Sequence, residues 1–101
     1  MGIKLVYIPA PPEKAKEIAR ALVGEKLAAC CNLIPIESIY WWKGEVEEGA
    51  EVVVLAKTLE SKLEKVINRV KSIHQYEVPC ILVMNGEVNE EYREYMEGAI
   101  G

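Results

Sequence analysis

The spacing of apolar residues changes period along the chain, and each change marks an element. From Ile3 to Ile8 apolar and aromatic residues run almost without a break, interrupted only by Lys4, which predicts a strand. Pro9, Pro11 and Pro12 end it, because proline lacks the N–H that a ladder needs, and Pro12 suits the first turn of a helix. Ala15, Ile18, Ala19, Leu22 and Val23 then fall at i, i+3, i+4, i+7 and i+8, one apolar helical stripe. Gly24 or the residues just after it are expected to close that helix. An extended region follows from about Ala29 to Trp42. Lys43-Gly44 reads as a tight hairpin turn, and the return strand carries Val46 and then Val52 to Ala56. Ser61 and Glu64 have capping-box spacing ahead of a second stripe, Leu63, Val66, Ile67, Val70 and Ile73. Cys80 to Met84 predicts a fully apolar strand. Asn89 is placed to cap a last helix with Tyr92, Tyr95, Met96 and Ala99 on its inner face.

The resulting order is β-α-β-β-α-β with an additional C-terminal helix, an α+β ferredoxin-like sandwich filling residues 1–101 as a single domain. Three of its strands do not alternate between apolar and polar residues: Leu5 to Ile8, Val52 to Ala56, and Cys80 to Met84. Alternation marks a strand with one wet face, so this sheet is expected to be dry on both. The two crossover helices cover one face. The third helix or a second copy of the chain must cover the other. Trp41 and Trp42 point to opposite faces of their strand and so cannot share one core. Both features favour a homo-oligomer.

Composition narrows the partners. The chain has 101 residues, half of them apolar, 28% charged, and a formal net charge of −4. No run of Lys or Arg offers a phosphate-neutralising stripe, and Glu45, Glu47, Glu48 and Glu51 would repel a phosphate backbone or an anionic membrane. Neither nucleic acid nor membrane is therefore an expected partner. No apolar run approaches the roughly 20 residues that cross a bilayer, and the prolines break the N-terminal apolar stretch before it can serve as a signal segment. The expected location is cytoplasmic. Cys30, Cys31 and Cys80 are an odd count with two adjacent members, which reads as small, buried, reduced thiols rather than a disulfide framework.

Several local motifs coincide in one order: Leu27-Ala28-Ala29-Cys30 with Asn32-Leu33, Ser38 through Gly44, Lys57-Thr58, His74 through Pro79, and Asn89 to Met96. Together they resemble the CutA divalent-cation tolerance family over nearly the whole chain. The resemblance implies a homotrimer with its sheets turned inward, its helices outward and its long hairpin reaching onto a neighbour. It also implies tolerance of copper and other divalent metals. In overall build the family is similar to the trimeric PII signalling proteins, which bind small effectors between subunits. Three departures stand out. Gln75 follows the histidine where the family usually has proline. Ile8 and Ile73 stand where some members carry a cysteine and a second histidine.

The chemistry the residues offer is modest. There is one histidine, no phosphate-cradling glycine loop and no nucleophile elbow, so no catalytic residue is assigned. No cofactor is expected to be obligatory. Copper or another divalent cation is expected to bind weakly at subunit boundaries through His74, with Cys30 as the second candidate ligand. In a sheet of order 4-1-3-2 the cysteines lie on opposite edges, roughly 14 Å apart, against the ~2.3 Å of a metal–thiolate bond. His74, Tyr76 and Glu77 read first as the end of a helix, with Pro79 preventing further winding. Their functional reading is an inter-subunit cleft shared with Tyr40, Trp42 and Lys57. Two functions follow: a metal-binding or metal-responsive trimer, or a PII-like sensor or scaffold taking a small-molecule effector or a partner protein in its clefts.

Overall fold

The computed structural model describes residues 2–101. Along the chain run β1 (Gly2–Ala10), α1 (Pro12–Gly24), β2 (Cys30–Trp42), β3 (Glu45–Thr58), α2 (Leu63–Ile73), β4 (Leu82–Glu87) and α3 (Glu90–Ile100), with a 3₁₀ turn at Glu60–Lys62 before α2. All strands pair antiparallel in the order β2-β3-β1-β4, the order the sequence predicts.

One face of the sheet carries α1 and α2. Val6, Ile8 and Ala10 of β1 and Val54 and Ala56 of β3 alternate onto it. They pack against Ala15, Ile18, Ala19 and Leu22 of α1 and Val66 and Val70 of α2. Apart from exposed Val23 and half-buried Ile67, the two helical stripes read from the sequence face this core. On the opposite face α3 covers only one end, where Met96 and Ile100 close over Ile3, Ala29 and Leu59. The rest of that face is bare: Ile34, Leu82 and Met84 are 41%, 49% and 36% exposed. These are large apolar side chains, so the bare end of the sheet is unfinished as a surface in one chain.

Helix α1 ends at Gly24, within the expected bounds, and Lys26 makes the closing turn with a left-handed φ of 59°, while other local expectations are corrected. The Leu27 N–H then bonds the Leu22 carbonyl and the Lys26 N–H the Val23 carbonyl. This is the Schellman pattern, with Leu22 and Leu27 meeting in the core to hold it. Ser61 makes no cap for α2; the chain enters through the 3₁₀ turn instead, with the Lys62 N–H bonded to the carbonyl of buried Leu59. Asn89 does occupy the cap position of α3, but its side chain donates to Glu91 rather than accepting from the backbone.

Strand β4 starts at Leu82, two residues later than Cys80, and runs on to Glu87. Leu82 pairs with Tyr7, so continuing the ladder back would set Cys80 against Pro9, which has no N–H to give. Cys80 is consequently exposed rather than a buried thiol, and Cys30 and Cys31 are half-buried. Within one chain β4 stays open, with Leu82, Val83 and Met84 all at least 36% exposed.

Candidate functional site

The hairpin β2–β3 is far longer than the sheet it belongs to. β1 pairs β3 only from Val52 to Thr58, whereas β2 pairs β3 from Cys30–Lys57 out to Trp42–Glu45. Everything from Ile36 opposite Glu51 to the tip therefore projects as a two-stranded arm. Lys43 and Gly44 turn the arm with φ of 50° and 80°, both positive, as a primed two-residue turn requires. Period-two alternation sorts the arm's side chains. Ile36, Ser38, Tyr40 and Trp42 follow Ile34 on the bare face of the sheet, while Ile39 and Trp41 point to the helix side. Trp41 is 75% exposed, Ile39 71%, and Val46, directly opposite Trp41, 55%.

Where the arm leaves the body, the loop after α2 folds toward it. His74 ends α2, its N–H bonded to the Val70 carbonyl. Its ring is held at both nitrogens: Nε2 lies 2.8 Å from the carbonyl oxygen of Pro9, and Nδ1 lies 3.1 Å from the backbone nitrogen of Tyr76. A carbonyl only accepts and a backbone N–H only donates, so Nε2 carries the proton and Nδ1 the lone pair. The Tyr76 ring packs against the imidazole at 4.8 Å between centroids, and its hydroxyl donates to Glu51 at 2.7 Å. Burial first, then the bond to Glu51, pushes the Tyr76 hydroxyl well above its usual ionisation range.

These contacts leave a groove of about 870 Å³. Its walls are residues 36–42 of β2 and the loop residues Gln75 to Val78 with Cys80. Tyr7, Pro9 and Glu51 lie beneath. Four of the five cleft residues named from the sequence line it: Tyr40, Trp42, Tyr76 and Glu77. Lys57 does not. It sits at the other end of β3, opposite Cys30, with its Nζ 5.4 Å from the centroid of the Tyr92 ring on α3. Glu51, Tyr7 and Ile36 are site residues the sequence reading passed over. The signal for Glu51 was present, since counting back from the hairpin turn places it opposite Ile36 on the same face as Tyr40 and Trp42.

The metal donors fare differently. His74 stands beside β1 at Pro9, while Cys30 pairs with Lys57, four residues along β3 from Val53, the partner of Pro9. At about 3.3 Å per residue the two donors lie at opposite ends of the sheet within one chain. Among the described residues no three His, Cys, Asp or Glu side chains gather as a metal-binding set. A closed metal centre does not fit a single chain. Cys31, on the helix-side face, has its thiol pushed up to about 12 by burial and secondarily by Cys30, so it is held as an inert protonated thiol.

Comparison with known proteins agrees with this architecture. The family model of the CutA1 divalent ion tolerance protein matches residues 4–99. The divalent-cation tolerance protein CutA of Thermus thermophilus is 43% identical over 101 residues, covering 97% of this chain and 98% of that protein. Human protein CutA is 46% identical over 85 residues, 82% of this chain, but that match spans only 48% of the human protein. Among solved structures, that of the periplasmic divalent cation tolerance protein CutA from Archaeoglobus fulgidus superposes with a TM-score of 0.93 at 36% identity, covering 100% of both chains. Matched by the family model over residues 4–99 and 43% identical to a relative that it covers almost end to end, the chain belongs to the CutA divalent-cation tolerance family.

Proposed function

We propose that this CutA protein works as a homotrimer that binds or responds to divalent cations without catalysing a reaction. The bare end of the sheet carries the reading. Ile34, Leu82 and Met84 stand exposed on the face that α3 leaves uncovered, and the projecting arm continues the same face through Tyr40 and Trp42. Three copies with their sheets turned inward would cover it, at roughly 25 cal/mol per Å² of apolar surface removed from water. Copper or another divalent cation then binds weakly at the subunit boundaries, with His74 and Cys30 among its ligands, rather than in a closed intrachain centre. The free thiols Cys30, Cys31 and Cys80 support a cytoplasmic setting.

The test is a charge placed on the open face. Met84→Lys is expected to break the assembly, since a lysine in a dry interface leaves an unpaired buried charge. Calorimetric titration should then show copper binding to the intact protein and at least about tenfold weaker binding to the dissociated variant, a difference of ~1.4 kcal/mol. An assembly that survives Met84→Lys, or copper binding unchanged by dissociation, would overturn the reading.

A further inference from the structure

Beyond the body of the sheet the arm has two faces, and the proposed trimer uses only one of them. Tyr40 and Trp42 continue the bare face that turns inward. Glu37, Ile39 and Trp41 of β2, with their partners Ala50, Glu48 and Val46 of β3, make the opposite face. Helices α1 and α2 lie on that side but pack on the body alone, for no residue from 36 to 51 belongs to either hydrophobic core. Trp41 and Val46, paired directly, and Ile39 beside them are left as an exposed apolar cluster.

Charge decides what can cover this cluster. Glu48 stands directly opposite Ile39, and Glu37 two residues before it, so both carboxylates share the face with the apolar side chains. Among the described residues neither one has an ion pair. Residues 36–51 hold five glutamates and one lysine. That lysine, Lys43, has its ammonium 5.6 Å from the centroid of the Trp42 ring, on the other face of the arm. Two copies meeting through the Trp41 face would set their carboxylates against one another, which disfavours self-association. Nucleic acid and anionic lipid are repelled in the same way.

We propose that this outward face of the arm is a docking surface for a partner protein that offers a basic amphipathic segment. Its apolar stripe covers Ile39, Trp41 and Val46, while its lysines or arginines reach Glu37 and Glu48. Trp41 lies at the centre, an aromatic anchor of the kind that dominates interface energetics and on which arginine stacks. The hydrogen-bonded ribbon fixes these positions before a partner arrives, so little order is lost on the side of the arm. The proposal rests on the trimer reading, which turns the other face inward and repeats this one on every arm.

The experiment titrates the intact protein with a helical peptide of about 14 leucines and lysines in amphipathic spacing, followed by tryptophan fluorescence and calorimetry. Peptides with glutamate for lysine, or serine for leucine, are the controls. Binding of one peptide per protomer is expected, with a Kd below about 100 μM, at least tenfold tighter than either control and weakened by salt. Trp41→Ala should weaken it about tenfold or more, and Glu37→Gln with Glu48→Gln about fivefold. Glu90→Gln with Glu94→Gln, on the equally acidic α3, should change nothing. Light scattering on the same samples keeps the two readings apart. A trimer whose peptide affinity ignores both arm variants overturns the docking surface alone, whereas a protomer that binds the peptide through Trp41 keeps the docking surface and overturns the trimer. Dissociation of the trimer by Trp41→Ala would also overturn the proposal, because this face would then belong to the interface between copies.

Discussion

His74 and Pro9 are joined across the base of the arm, the imidazole Nε2–H donating to the proline carbonyl at 2.8 Å. The pairing follows from Pro9 itself: a residue that cannot donate to β4 leaves its edge of the ladder open, and the histidine that ends α2 takes the free carbonyl. The other ring nitrogen is occupied by the Tyr76 N–H. A metal ion can therefore reach the Nδ1 lone pair only by displacing that N–H. Copper added to labelled protein is expected to move the Tyr76 amide signal early in the titration, and His74→Ala is expected to lose the tightest phase of the isotherm. Identical isotherms for the wild type and His74→Ala would remove His74 from the site.

The two tryptophans of the arm should part company on substitution. Trp41 stands on the helix-side face of the arm with Ile39 and Val46, while Trp42 continues the bare face of the sheet. Trp42→Ala is expected to loosen the assembly by about 2 kcal/mol or more, as central aromatic anchors do. Trp41→Ala should leave assembly intact. Sedimentation of each variant across a dilution series separates the cases, and equal, negligible effects would show that the arm is no interface element.

Alkali should destabilise the fold in a defined window. The Cys31 thiol is raised from 9.0 to about 12 by burial, so the folded state holds its proton where the unfolded chain releases it. That contribution is fully present below pH 9 and is lost as pH rises from there toward about 12. The raised Tyr76 hydroxyl acts with the same sign above its ordinary value of 10.0. Melting temperature is expected to fall with pH through this range, less steeply in Cys31→Val. Thiol reagents at mildly alkaline pH should modify exposed Cys80 and spare Cys31; a fast-reacting Cys31 would contradict its burial.

Much of this architecture was legible in the chain because it rests on periodicity. The stripes Ala15 to Leu22 and Val66 to Val70 bury as read, and the non-alternating β1 and β3 are the central strands of the sheet. What escaped depends on contacts between distant residues. The start of β4 is set by Pro9, some seventy residues earlier, through a register that no local pattern encodes. α1 ends at Gly24 as its periodicity suggests, but the left-handed residue of the closing turn is Lys26, which no local pattern marks. At the candidate site, Tyr40 and Trp42 on the arm and Tyr76 and Glu77 on the loop line one groove within a single chain. Lys57 was grouped with them by motif alone, and the strand carries it to the far end of the sheet.

The core should respond as a packed interior. Leu22 is fully buried and touches both the sheet and the turn that closes α1. Leu22→Ala is expected to cost about 2–5 kcal/mol in chemical denaturation, the range for leucine truncation in a close-packed core. A loss under ~1 kcal/mol would mean that the site collapses around the smaller residue.

The central claim is that the bare end of the sheet is an interface between copies of this chain, and mass in solution tests it most directly. The protomer is 11.3 kDa. Light scattering behind size exclusion, at micromolar protein, is expected to give about three times that mass across the whole peak. A uniform peak at the protomer mass would contradict the account, because it would leave Ile34, Leu82 and Met84 facing water with nothing to cover them.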